Sequence, residues 1–260
     1  MFGICRLSVA PLRATAADSA EMVTQLLFGD MYEVLETSEN GKWLRVKMEF
    51  DGYEGWLDLK QHTEISEPFF EVSRKQDFRI CLGLTSTFET GKGALTLLAG
   101  AVSHYPVNPI FPDETGIAVP EDWKSFGEKL GVDAILAQAK RYMGAPYLWG
   151  GRTPFGIDCS GFTQVVFKIG GYSLLRDASM QVQQGEHVDF ADRKPGDLAF
   201  FVNKEGRVTH VGICLPEGKI IHASGMVRID TLTEKGIEME DGTLSHVYGS
   251  LRRMKTLESA

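Results

Sequence analysis

Between Met31 and Leu57 the chain alternates apolar and polar residues in short runs broken by turn formers. Met31 to Thr37, Lys42 to Met48 and Tyr53 to Leu57 read as strands. Ser38-Glu39-Asn40-Gly41 and Asp51-Gly52 join them, and Asn-Gly and Asp-Gly pairs favour the left-handed backbone of tight hairpins. In the second run Leu44, Val46 and Met48 alternate with Trp43, Arg45 and Lys47, which predicts one buried and one wetter face. The pattern is that of a small β-barrel. A second β-rich stretch runs from Phe78 to about Tyr105, and its Thr96-Leu97-Leu98-Ala99-Gly100 echoes Gln25-Leu26-Leu27-Phe28-Gly29, as two barrels in tandem would.

Pro106, Pro109, Pro112 and Pro120 then remove backbone donors and fix extended or turn conformations, which places a domain boundary between Tyr105 and Glu121. Beyond it Ile135, Leu136, Ala139, Tyr142 and Met143 recur at helical spacing, with Gly144 and Pro146 as the stop. A second helix is predicted from Cys159, with Phe162, Val165, Val166 and Ile169 as its apolar face and Gly170-Gly171 as its end. After Pro195-Gly196-Asp197 the period changes to that of strands: Leu198 to Val202, Arg207 to Leu215 and Lys219 to Ala223. Helices followed by an antiparallel meander predict an α+β domain.

The length of 260 residues suggests two domains, and 43% apolar with 24% charged residues is the balance of a globular chain with a real core. A net charge of -8, with Lys and Arg scattered, offers no field for phosphates, so neither nucleic acid nor an anionic membrane is expected as a partner. The longest mostly apolar stretch, Ala94 to Val102, is half of what a membrane-spanning helix needs. Arg6, Pro11 and Arg13 interrupt the beginning of the chain too early for a signal-peptide core. Four separated cysteines without a CxxC pair fit a reducing compartment, and a cytoplasmic protein is expected.

The candidate chemistry centres on Cys159. It lies between a loop holding Gly150, Gly151 and Gly156 and the start of the second helix, where unpaired amides and the helix dipole favour thiolate over thiol. Asp158, Ser160 and Gly161 beside it suggest exposure, whereas Cys5, Cys81 and Cys214 read as packing thiols. A hairpin around Pro216-Glu217-Gly218, paired symmetrically about Pro216, sets His210 opposite His222, so one ring can orient the other as the base for the thiol. Either histidine alone reads as a hydrogen-bonded sheet residue. His62, His104, His187 and His246 have no such context and read as structural. Cys159, His210 and His222 are also a conceivable zinc set with an open position, but neither a carboxylate to support the ligands from behind nor a short-spaced ligand pair is apparent, and thiol-imidazole hydrolysis needs no metal. Neither a metal nor another cofactor is expected.

Tyr147-Leu148-Trp149-Gly150-Gly151, Asp158-Cys159-Ser160-Gly161, Thr209-His210-Val211-Gly212 and Ile221-His222-Ala223-Ser224 resemble the NlpC-type cell-wall cysteine peptidases, which have a papain-like core. Ser8-Val9-Ala10-Pro11-Leu12-Arg13, Glu21-Met22-Val23-Thr24-Gln25 and Gly52-Tyr53-Glu54-Gly55-Trp56-Leu57 resemble the bacterial SH3-like domain of one branch, the γ-D-glutamyl-L-diamino acid endopeptidases. The resemblance implies an SH3-like domain at residues 1–62, a second β-rich SH3-like segment with the Pro-rich linker at 63–120 and a papain-like α+β peptidase domain at 121–260. It also implies that Cys159 attacks, His210 is the base, His222 is the third polar residue and Tyr147 helps polarise the carbonyl. Tyr53 and Asp177 match positions that hold the substrate's free amino group, and Glu21 is taken as a second carboxylate beside them, although Ala178 lacks the hydroxyl some relatives carry there. The implied substrate is a murein peptide with a free N-terminal L-Ala, cut between γ-D-Glu and the diamino acid during wall-peptide recycling. A hydrolase of intact wall, a non-catalytic wall-binding protein and an acyltransferase remain alternatives on the same fold.

Overall fold

The structure, a computed structural model, describes residues 1–90, 93–104 and 122–254; the four prolines and the boundary read from them lie outside the described residues. The chain divides into two compact units, Met1–Glu128 and Lys129–Ala260.

The N-terminal unit opens with β1 (Phe2–Ile4), β2 (Val9–Arg13), β3 (Met22–Leu27), β4 (Met31–Thr37), β5 (Trp43–Met48), β6 (Glu54–Asp58) and β7 (Glu64–Ile65). They form one antiparallel sheet in the order β3-β2-β6-β5-β4-β1-β7. Leu44, Val46 and Met48 of β5 point into a core with Ala10, Leu12, Leu26, Tyr32 and Leu57, as the alternation predicts. Trp43 departs from it: the indole is buried, not on the wet face. Gly41 and Gly52 both have positive φ, which is what the Asn-Gly and Asp-Gly pairs are for.

After α1 (Glu67–Ser73) come β8 (Arg79–Cys81), β9 (Thr85–Thr90), β10 (Gly93–Leu98), β11 (Val102–Ser103) and β12 (Trp123–Ser125). β9 and β10 pair alone, and β8 lies between β11 and β12. The sequence echo has a physical counterpart. The Gly29 amide donates to the Cys5 carbonyl and the Cys5 amide to the Asp30 carbonyl; likewise the Gly100 amide donates to Cys81 and the Cys81 amide to Ala101. Both turns use a glycine at positive φ, 82° at Gly29 and 87° at Gly100. Each thiol then donates to the carbonyl two residues on, Cys5 to Leu7 and Cys81 to Gly83.

The C-terminal unit contains α2 (Val132–Lys140), β13 (Arg152–Thr153), β14 (Gly156–Ile157), α3 (Cys159–Ile169) and α4 (Ala178–Gln181). Strands β15 (Glu186–Val188), β16 (Leu198–Val202), β17 (Val208–Cys214), β18 (Lys219–Ser224), β19 (Met226–Thr233), β20 (Gly236–Glu238) and β21 (Leu244–Arg253) follow. The predicted meander is there, but it does more than lie under the helices. The order is β15-β21-β16-β17-β18-β19-β20, and β20 also pairs with β21, closing the sheet on itself as a barrel. Ala199, Phe201, Cys214, Ile220, Leu232, Ile237 and Leu251 form a buried core on these strands. Every residue of α3 is buried, including Thr163, Gln164 and Lys168, so the helix has no wet face. Its polar side chains are held internally: the Thr163 hydroxyl donates to Gln181 at 2.7 Å and the Gln164 amide to the Leu174 carbonyl at 3.0 Å. Met143, read as the end of the α2 stripe, lies beyond the helix and is exposed.

Candidate active site

Asp158 builds the setting of Cys159. It is the N-cap of α3, accepting from the Gly161 amide at 2.6 Å, and its other oxygen accepts from the Gly150 amide at 2.8 Å. One carboxylate thus joins the glycine loop to the helix start. The close approach requires glycine: a Cβ at Gly161 would lie 2.3 Å from the Gly151 carbonyl oxygen. Arg176 covers the carboxylate from the far side, with Nη1 at 3.0 Å from Oδ1 and Nη2 at 2.5 Å from Oδ2.

Cys159 therefore sits at the first position of α3, as predicted, but it is 7% exposed rather than open. Burial pushes its thiol up to about 12, reinforced by the Asp158 charge; the Val211 amide, Arg176 and the Ser160 amide pull the other way without prevailing. The expected thiolate is corrected on this ground: desolvation outweighs the helix terminus, and the resting group is a thiol.

The Val211 amide at that sulfur belongs to β17, and the residue before Val211 is His210. A β-bulge precedes it. Phe201 pairs with His210 and Val202 with Val208, leaving Thr209 as the extra residue, a device that re-aims a side chain. The hairpin differs from expectation. Gly212, not His210, stands opposite His222, so the pairing is centred on Glu217. Pro216 opens the turn and Glu217 takes the left-handed conformation, φ 59°, which moves the register by two residues. A shift of two keeps both histidines on one face. They meet diagonally, His210 Nε2 to His222 Nδ1 at 2.8 Å. Gly212 permits this, since a Cβ there would stand 2.8 Å from the His222 Cβ.

Two further groups were not legible as site residues. Asp230 on β19 accepts from His222 Nε2 at 2.9 Å, and Arg228 reaches the same carboxylate, Nη2 to Oδ1 at 2.8 Å and Nε to Oδ2 at 2.8 Å. The signal was the Ser224-Gly225-Met226 turn, which pairs His222 with Arg228 and sets Asp230 two residues on along the same face. His246 on β21, read as structural, stacks on the His210 ring with centroids 4.0 Å apart and planes at 24°.

Burial holds His210 well below the usual imidazole range, with the neighbouring His246 and His222 adding to it. His222 is also lowered by burial, against the pull of Asp230, so its contact with Asp230 is a hydrogen bond from a neutral ring rather than an ion pair. Burial alone would raise Asp230, but hydrogen bonds from Arg228 and His222 keep it below the carboxylate range. Ring nitrogens of His210, His222 and His246 lie within 4.8 Å of one another, the geometry from which a metal site would be argued. The arrangement fits a metal poorly. Both nitrogens of His222 are engaged, and the lone pairs of the stacked His210 and His246 rings lie in their planes rather than converging on one point.

Tyr147 is half-buried at a β-bridge to Ile157. Burial and the nearby Cys159 and Asp158 push its phenol up to about 12, so it stays a donor. Asp177 is the N-cap residue of α4 but makes no capping side-chain hydrogen bond. Its place beside α3 is set by Gln181, whose amide donates to the Ser160 carbonyl at 3.0 Å. Tyr53 and Glu21 belong to the N-terminal unit: Tyr53 packs partly on the core of the N-terminal sheet, and Glu21 is exposed, its carbonyl accepting from the Ala14 amide.

Residues 144–243 match the NlpC/P60 family and residues 12–61 the bacterial dipeptidyl-peptidase Sh3 domain. The chain is 34% identical to a gamma-D-glutamyl-L-lysine dipeptidyl-peptidase of Bacillus subtilis, over 84% of this chain and 78% of that protein. It is 27% identical to the protein of the same name from Bacillus cereus, over 78% of this chain and 67% of the other. Among solved structures, an NlpC/P60 family protein from Bacillus cereus superposes with a TM-score of 0.79 at 22% identity, covering 97% of this chain and 99% of that one. With a buried thiol at a helix start beside two hydrogen-bonded imidazoles, and relatives alike over most of both chains, the protein is a cysteine peptidase and belongs to the NlpC/P60 family.

Proposed function

We propose that this enzyme hydrolyses the γ-D-glutamyl-diamino acid bond of murein peptides, with Cys159 as nucleophile, His210 as base and His222 orienting that base. The carrying observation is the 2.8 Å bond between His210 Nε2 and His222 Nδ1, which leaves His210 Nδ1 as the ring nitrogen for the thiol. Relatives over most of the chain's length are named for cleavage at γ-D-glutamyl-L-lysine, which supports the substrate class.

Thiol and imidazole start neutral, so proton transfer accompanies attack. The Cys159 sulfur adds to the scissile carbonyl carbon as its proton moves to His210. The oxyanion takes a hydrogen bond from Tyr147, the C–N bond breaks, and His210 returns the proton to the departing amine. Water, deprotonated by His210, then cleaves the thioester and releases the acid and the thiol.

The free N-terminal ammonium is assigned to Asp177, and the resemblance alone implies a part in substrate binding for Tyr53 and Glu21. The place of Asp177 at the head of α4, which Gln181 ties to the Ser160 carbonyl next to Cys159, supports that role. The four free thiols support a reducing compartment, and with it recycling of soluble fragments in the cytoplasm.

The test is product analysis by mass spectrometry on L-Ala-γ-D-Glu-diaminopimelate and its N-acetylated form. Free peptide should yield L-Ala-D-Glu and diaminopimelate, and acetylated peptide should be rejected. Asp177→Asn should lose roughly thirtyfold or more on the free peptide and far less on the acetylated one. Equal cleavage of both peptides by the wild type would shift the reading to a hydrolase of intact wall.

A further inference from the structure

We propose that Asp230 is a positioning residue that sets the tautomer of the catalytic base through His222. A carboxylate held below its usual range only accepts hydrogen bonds, so the 2.9 Å contact requires the proton of neutral His222 to sit on Nε2. His222 Nδ1 is then a bare lone pair. At 2.8 Å from it, His210 Nε2 must be the donor, and neutral His210 is left with Nδ1 unprotonated. One carboxylate, two rings away from the sulfur, thereby determines which nitrogen of His210 is free to take a proton.

Arg228 makes the arrangement one-directional. Its Nη2 donates to Oδ1 at 2.8 Å, the oxygen that His222 does not use, and a guanidinium offers donors only. If Asp230 is replaced by Asn, Arg228 retains the amide oxygen and the NH2 group faces His222 Nε2. Two donors cannot share that contact, so His222 must carry its proton on Nδ1, which drives the His210 proton to its own Nδ1. The base then presents a hydrogen to the thiol. Asp230→Ala enforces nothing and leaves both tautomers open, so the smaller removal does less damage than the near-isosteric one.

The inference rests on the reading of His210 as base, and its test is separable from that reading. Uniformly ring-15N-histidine-labelled enzyme, with signals assigned through single His→Gln variants, reports the protonated nitrogen of each ring near pH 7.5 without any turnover. Wild type should show His210 and His222 both protonated at Nε2, and Asp230→Asn should show both at Nδ1. The specificity constant should fall by about 10²- to 10⁴-fold in Asp230→Asn and by clearly less in Asp230→Ala. A wild-type His210 protonated at Nδ1 would overturn the inference even if no variant folded. So would unchanged tautomers in Asp230→Asn, or equal losses in the Asn and Ala variants. If instead His210→Ala remained active while the spectra matched expectation, the base assignment would fail and the tautomer chain would stand.

Discussion

Arg176 grips both oxygens of Asp158, at 3.0 and 2.5 Å, and neither side chain has appreciable contact with water. The same carboxylate caps α3 and holds Gly150, so the ion pair is the anchor of the loop that leads into Cys159. Removing one partner strands a buried charge. Arg176→Met should destabilise the fold by about 3 to 5 kcal/mol, read from urea unfolding midpoints. Asp158→Asn strands the Arg176 cation instead and turns an NH2 group towards donors at either oxygen, so it should cost at least as much; a clearly smaller loss would mean that the contact is not an ion pair in energetic terms.

The Cys159 thiol, pushed up to about 12 by burial, should be alkylated slowly at neutral pH. The rate of inactivation by iodoacetamide should climb steadily from pH 7 to 10. A plateau reached below pH 7 would reveal a preformed thiolate and contradict the neutral resting pair. Cys159→Ala should abolish turnover, whereas Cys5→Ala and Cys214→Ala, whose thiols lie in the cores of the N-terminal sheet and the C-terminal barrel, should not.

Gly212→Ala would place a Cβ 2.8 Å from that of His222. The ring must then tilt from His210, and a misplacement of about 1 Å costs about 10²-fold in rate. Overpacking should also lower stability by about 1 to 3 kcal/mol. Measured kcat close to wild type in a folded Gly212→Ala protein would show that the diagonal bond tolerates movement.

Acid should loosen the C-terminal unit through its histidines. His210 and His222 are lowered by burial, and burial, with His222 adding to it and Asp230 opposing, takes His246 to about 4. The unfolded rings titrate near 6.5, so below about pH 6.5 the unfolded chain binds protons that the folded one refuses. The stability these groups supply is complete above that pH and is lost as pH falls through the lower folded values. Melting temperature should therefore drop from about pH 6.5 downward. His246→Gln should flatten the drop, and an unchanged slope would remove His246 from the account.

Much of the site was readable because its parts are local. A capped helix start after a glycine loop and two alternating strands mark Cys159, His210 and His222 without tertiary knowledge. The register of their hairpin was not, because the left-handed Glu217 after Pro216 recentres the pairing by an amount that composition does not encode. His246 arrives on the strand that closes the barrel, and closure joins segments that no periodicity links. Asp230 needed one more hairpin to be drawn past His222. The thiol's protonation state was misjudged because desolvation belongs to the packed whole, whereas a helix terminus can be read from a few residues.

The paired Cys5 and Cys81 turns speak to history. Two segments that share an Ile-Cys pair, a Leu-Leu pair and a glycine have settled on the same hydrogen bonds, donor for donor. An ancestral unit copied within one gene would leave this trace, with the side chains free to drift once the backbone pattern was secured. What descends in such a lineage is a way of closing a turn, and the letters of the sequence are its least durable record.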